Sequence, residues 1–132
     1  MMPNCPGLRR LLVEVVAVHL RYFHRSGLDR GRFTDVLNAS SGRNVATETK
    51  LAQFILPRTF SGGFALQLQA KDIKTAASLQ DLAGVQAPLL NLCNSVWADA
   101  GRTLSAAADN TEIFRFLEER NASVSERSAF QD

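Results

Sequence analysis

The sequence predicts an all-α helical bundle, and three observations carry that prediction. Apolar residues recur at spacings of three and four in five to six separate segments, the mark of helices with one buried face. Strict alternation of apolar and polar residues, which strands require, is essentially absent. Short connections marked by glycine or proline separate the segments, as in bundles of consecutively packed helices.

Met1 to Gly7 carries Pro3, Pro6 and Gly7 and reads as an irregular leader. A first helix follows, with Leu8, Leu11, Leu12, Val15, Val16, His19, Leu20 and Phe23 on one broad face, closed by Ser26-Gly27. A short second helix is expected from Asp29, a good N-cap, to Ala39, with Phe33, Val36 and Leu37 inward. Ser40-Ser41-Gly42 interrupts the pattern. A third amphipathic piece then runs from Asn44 to Leu56 with Val45, Leu51, Phe54 and Ile55, and stops before Pro57. After a loop ending in Gly62-Gly63, Phe64 to Leu82 is the longest helical signal, free of glycine and proline and rich in Ala, Leu, Gln and Lys. Gly84 ends it. Pro88 opens the next helix, towards Leu104, with Gly101 weakening its last turn. Asp109 and Glu112 fit a capping box ahead of Ile113, Phe114, Phe116 and Leu117. Asn121 onwards is polar and expected to fray. The expected organisation is therefore a leader at 1–7, one helical domain at 8–121 and a flexible tail at 122–132.

Composition narrows the function classes. With 132 residues, 45% of them hydrophobic, the chain can bury a core without disulfides or metals. Fifteen basic against thirteen acidic residues leave a net charge of +2, too little for nucleic-acid binding driven by bulk charge. Two cysteines, Cys5 and Cys93, make neither a disulfide framework nor a metal-ligand pair, which favours a reducing, cytoplasmic setting. Leu11 to Val18 is too short to span a membrane. Arg9 and Arg10 before it resemble the start of a signal peptide, but no small-residue cleavage site follows.

Few residues suggest chemistry by themselves. His19 and His24, five residues apart, point about 140° from each other around a helix and make no joint metal site. Cys93, between Leu92 and Asn94, reads as a small buried hydrophobe. The acidic residues near the end read as caps and solvated faces, and no GxGxxG follows a strand. Two segments leave alternatives open. Ser40-Ser41-Gly42-Arg43-Asn44 either holds an anion through its amides, hydroxyls and arginine or simply stops one helix and caps the next. At the start of the long helix, Phe64, Gln67 and Lys71 share a stripe at 100° per residue with Asp72 one step round; Lys71 and Asp72 either face a cleft or are two solvated charges.

Gly63-Phe64 followed by Leu68-Gln69-Ala70-Lys71-Asp72-Ile73 resembles the phenylalanine-to-lysine-aspartate helix of the β-hydroxyacid dehydrogenases, in particular those of 3-hydroxyisobutyrate dehydrogenase type. Ser26-Gly27-Leu28-Asp29, Val36-Leu37-Asn38, Ser40-Ser41-Gly42-Arg43, Ala87-Pro88-Leu89-Leu90 and Ile113-Phe114-Arg115-Phe116-Leu117-Glu118 occur in the family's order. The resemblance covers Leu8 to Arg120. It implies the helical C-terminal domain of 6-phosphogluconate and 3-hydroxyisobutyrate dehydrogenase-type proteins, which closes over the substrate and builds the oligomer beside an NAD- or NADP-binding Rossmann domain.

By that resemblance Lys71 contacts the nicotinamide cofactor, while Phe64 and Asp72 belong to the substrate pocket for a small hydroxyacid. The family's catalytic lysine and the asparagine four residues after it fall on Met2 and Pro6, so no catalytic residue is assigned. No metal is implied. The resemblance thus implies a 3-hydroxyacid dehydrogenase, or a reductase of semialdehydes or glyoxylate, represented here by a homodimerising domain that binds cofactor weakly and is inactive alone. Two alternatives accompany it: a helical interaction module without chemistry, dependent on an exposed apolar face such as one at Trp97, and one subunit of a split enzyme with a separate Rossmann-domain partner. None of the three readings includes nucleic acid or a membrane.

Overall fold

The computed structural model describes Gly27 and residues 29–128, with side chains as far as Ala122. The first expected helix, His19, His24, Cys5, Met2 and Pro6 lie outside the described residues. The described elements are α1 (Arg30–Asn38), a π-helix (Ala46–Ile55), α2 (Leu66–Ala83), α3 (Pro88–Thr103), a 3₁₀ turn (Asn110–Glu112) and α4 (Ile113–Ser128). The architecture is all-helical. Among the described residues the only extended pairing is an isolated antiparallel bridge between Ala65 and Asp109. No helix of the described residues is long and apolar enough to cross a membrane.

Local chemistry sets most boundaries. The Asp29 carboxylate accepts the Arg32 amide at 2.9 Å and starts α1. Gly84, at φ 62°, closes α2 in the left-handed conformation, and Pro88 stands in the first turn of α3. The capping box of Asp109 and Glu112 is formed ahead of α4. Gly101 stays within α3, because a bare Cα there allows the Gln67 amide of α2 to donate to its carbonyl at 2.6 Å.

Four expectations need correction. Val36, expected inward on α1, is 65% exposed. The segment around Leu51 winds as a π-helix, with the Leu56 amide bonded to the Leu51 carbonyl five residues back. The Thr49 hydroxyl takes the Val45 carbonyl that an α-helix would offer to the Thr49 amide, a competition typical of Ser and Thr. Val45 is exposed, while Thr47, Leu51 and Ile55 turn inward. At the other end, helix continues through the polar stretch after Asn121 to Ser128. Trp97 is only 2% exposed, so it forms no exposed apolar face; on α3 the exposed large apolar residues are Leu89 and Leu92.

The core gathers Leu51 and Ile55 of the π-helix, Leu66 and Ile73 of α2, Cys93, Val96 and Trp97 of α3, and Ile113, Phe114 and Leu117 of α4. Helices α2 and α3 form an antiparallel hairpin: Gln67 reaches Gly101 at one end, and Gln80 reaches Asn91 at the other. Phe114, 2% exposed, is among the largest fully buried side chains of this core. Removing such a side chain costs about 3–5 kcal/mol, so the bundle is fixed mainly by apolar burial. Surface ion pairs add little: Glu118 on α4 meets Arg58 at 2.9 Å and Arg30 at 3.7 Å, each arginine at least partly in solvent.

Candidate functional site at the head of the long helix

The head of α2 is assembled from a loop, a strap and a helix end. The incoming loop carries positive φ angles at Arg58 (61°), Phe60 (48°) and Gly63 (80°). For Arg58 and Phe60 this left-handed backbone is unfavourable and must be held by surrounding contacts. Arg58 and Arg115 both stand over the Phe60 ring, at 5.4 and 5.9 Å from its centre. The Lys50 ammonium, projecting from the π-helix, donates to the Gly62 carbonyl at 2.5 Å.

The strap is Ala108–Asn110. The Leu66 amide donates to the Ala108 carbonyl at 2.8 Å, and the Asn110 amide donates to the Phe64 carbonyl at 2.7 Å. One oxygen of Asp109 accepts the amides of Gly63 (2.8 Å) and Phe64 (3.1 Å). Its other oxygen accepts the amide and the hydroxyl of Thr111. Burial opposes ionisation of this carboxyl, but the Thr111 hydroxyl and amide and the Phe64 and Gly62 backbone outweigh it and hold its pKa below the ordinary 3.8. Behind the strap, Gln69 is 4% exposed and its oxygen accepts from the Asn110 side-chain amide at 3.2 Å.

The sequence placed Phe64, Lys71 and Asp72 together on the head of one helix, and the structure modifies that picture. Phe64 lies before the helix, outside its regular turn, because Ala65 is the extended N-cap and Phe64 belongs to the strap pairing. Its side chain is not on the Gln67–Lys71 stripe. Lys71 lies two residues from the buried Ile73, hence about 160° round the helix, on the outward side. Asp72 is exposed as well, about 100° further round. All three residues are therefore open to solvent, and Gln67 between them is committed to α3. A groove of about 470 Å³ beside α1, lined by Gly27, Asp29, Arg32, Phe33 and Val36, contains none of them.

The Ser40–Asn44 segment resolves as caps. Asn44 accepts the Ala46 and Thr47 amides at 2.8 and 3.2 Å, the Ser40 hydroxyl donates to the Leu37 carbonyl, and Arg43 is paired with Glu48. Its arginine is thus engaged by a carboxylate. Gly42 approaches Leu37 closely, since a Cβ there would stand 2.9 Å from a Leu37 methyl. Cys93 is buried, as expected. No group of three or more potential metal ligands occurs among the described residues.

Sequence reading took Asp109 for a cap alone and missed its grip on Gly63 and Phe64, 46 and 45 residues away. Lys50 was missed entirely. The local signal was the Gly62-Gly63 pair ahead of Phe64: two flexible residues there imply a backbone that some other part of the chain must fix.

A family model matches residues 11–117, and its description is NAD-binding of NADP-dependent 3-hydroxyisobutyrate dehydrogenase; the chain belongs to this family. Among characterised relatives, it is 29% identical over 86 residues to the 2-(hydroxymethyl)glutarate dehydrogenase of Eubacterium barkeri. That match covers 65% of this chain and 28% of the relative. Among solved structures, the 3-hydroxyisobutyrate dehydrogenase of Mycobacterium tuberculosis with L-serine shares the fold at a TM-score of 0.73 and 18% identity, over 85% of this chain and 40% of that one. The chain thus spans well under half the length of either relative.

Proposed function

We propose that this chain is the C-terminal-type helical domain of an NAD(P)-dependent oxidoreductase that oxidises a small 3-hydroxyacid or reduces the corresponding semialdehyde or glyoxylate. The family match supports the reaction class. The observation that carries the site is that Phe64, Lys71 and Asp72 all stand open to solvent at or near the head of α2, where a second domain can close on them.

The exposed residues fit the cofactor. No ion pair among the described residues engages the Lys71 ammonium, which leaves it available for the edge of a dinucleotide. NAD or NADP, when bound, supplies the hydride-accepting or hydride-donating centre. Phe64 gives an aromatic wall against the short carbon chain of the substrate, and Asp72 gives a polar rim. Catalysis is not assigned to any of the three. The lysine and asparagine that the family uses fall on Met2 and Pro6, so the 132-residue chain is inactive alone and binds cofactor weakly. A Rossmann domain, on the same polypeptide or on a separate one, completes the cleft. The setting we propose is cytoplasmic.

Self-association also belongs to this reading. Leu79, Leu82, Val85, Leu89 and Leu92 cluster around the far end of the α2–α3 hairpin, each more than half exposed, and a homodimer would cover them.

The test is an NMR titration of the chain with NADP, NAD and 3-hydroxyisobutyrate, with and without a family Rossmann domain. Resonances of Phe64, Lys71 and Asp72 are expected to move, with weak affinity and no turnover for the chain alone, and Lys71→Ala is expected to remove the cofactor response. Turnover by the chain alone overturns the assignment of missing parts. Perturbations confined to other faces overturn the site.

A further inference from the structure

The Gly62–Phe64 turn has no regular secondary structure to hold it, and its preceding loop uses two non-glycine residues in the left-handed region. Its carbonyls are held by the Asn110 amide, on Phe64, and by Lys50, on Gly62, while one carboxylate holds its amides. Asp109 takes the two consecutive amides of Gly63 and Phe64 on one oxygen and Thr111 on the other, so a single side chain ties the approach to α2 to the start of α4. Lys50 holds the preceding carbonyl of Gly62 from a third element. The packing is tight, since a Cβ on Gly62 would lie 3.0 Å from Thr111 Cγ2 and 3.1 Å from Asp109 Oδ1.

We propose that Asp109 is the positioning residue of the Phe64 wall: its carboxylate latches the Gly63–Phe64 backbone and thereby sets where the aromatic ring stands beside the cleft. The latch rests on the hydrogen bonds above. Its consequence for substrate rests on the function proposed for Phe64. A capping residue needs only one oxygen, directed at the first turn of its own helix. Asp109 uses its second oxygen on a segment more than forty residues away, which capping does not require.

Amide hydrogen exchange on the whole chain separates the two roles. In the native protein the Gly63 and Phe64 amides should exchange slowly, although both residues are exposed and neither lies in a helix. Asp109→Ser keeps a good N-cap but has one short, neutral oxygen. It should accelerate exchange at those two amides by roughly tenfold or more, the scale of a charge-assisted hydrogen bond, and leave Phe114 and Phe116 in α4 unchanged. Asp109→Asn, with the same reach, should recover part of the protection.

Unprotected Gly63 and Phe64 amides in the native chain overturn the latch, and that measurement stands even where the serine variant fails to fold. Equal acceleration throughout α4, or none anywhere, overturns it too. The response of the Phe64 ring to 3-hydroxyisobutyrate with NADP is read separately. Loss of that response, with the amide pattern intact, breaks the substrate assignment and not the latch.

Discussion

The two ends of α2 are held in opposite ways. At its head, every fixing contact is long-range: Leu66 bonds to Ala108, Phe64 to Asn110 and Asp109, and Gly62 to Lys50. At its tail the contacts are local, with the Ala87 amide on the Gln80 side chain and Gln80 on Asn91 across the hairpin turn. The head buries its first residue, Leu66, completely, whereas the tail leaves Leu82 at 85% exposure. A head fixed by distant residues keeps its geometry only while the whole bundle is folded. The tail, closed by local bonds, leaves its apolar residues in solvent.

The largest expected contrast is between leucines. Leu66→Ala removes a fully buried side chain and should cost about 2–5 kcal/mol, whereas Leu82→Ala should fall within about 0.5 kcal/mol. Urea unfolding of the two variants measures the difference. Similar values for both would mean that Leu82 is covered in the native protein.

Glycines sharpen the same comparison. Gly62→Ala at the head puts a Cβ 2.7 Å from Lys50 Nζ and near two atoms fixed by the Asp109 network. The lysine end can swing away, but Thr111 and Asp109 cannot, so the expected cost is about 1–3 kcal/mol. Gly84→Ala at the tail meets nothing within 4 Å and suffers only from its φ of 62°, for about 1 kcal/mol. Thermal midpoints of the two variants give the order.

Acid should loosen the head before the tail. The Asp109 carboxyl titrates below 3.8 in the folded state, because its hydrogen bonds outweigh its burial. Between that lowered value and the ordinary one, the unfolded chain binds more protons, so the contribution is present above about pH 3.8 and is lost as the pH falls through the folded value. Lys50 of the π-helix and Glu112 of the 3₁₀ turn face the same network. Urea midpoints from about pH 5 to about pH 2 should fall less steeply for Asp109→Asn than for the native chain. Identical slopes would remove Asp109 from the acid response.

Helix order, caps and stops were legible in the sequence because each depends on a few neighbouring residues: Asp29, Gly84, Pro88 and the Asp109–Glu112 pair act within their own turn. The π winding at Leu51 was not legible, since apolar spacings of three and four fit either helix and the deciding Thr49 bond is a matter of backbone geometry. Trp97 was misplaced because periodicity shows which residues share a face, not whether that face meets a neighbour or water. The same limit hid the site's scaffold. Lys71 and Asp72 could be placed by counting round a helix, but Phe64 is held by Asp109 and Asn110, and no local pattern announces a contact across 45 residues.

The smallest effect on stability is the most informative about assembly. Leu82→Asp places a charge where the side chain is already in water, so unfolding should change by no more than about 0.5 kcal/mol. If two copies meet through the hairpin end, the same charge would be driven into an apolar contact among Leu79, Val85, Leu89 and Leu92, where it has no described partner and an unpaired charge is strongly disfavoured. Light scattering after size exclusion should then show a dimer for the native chain and a monomer for the variant, at equal thermal midpoints measured on dilute monomer. A native monomer, or a dimer that tolerates the charge, moves the assembly surface away from the tail and leaves the exposed leucines to another partner. Asp109→Ser serves as the converse control: it alters the head alone, so a tail-mediated dimer should survive it, and loss of the dimer there would mean that the two ends of α2 do not act independently.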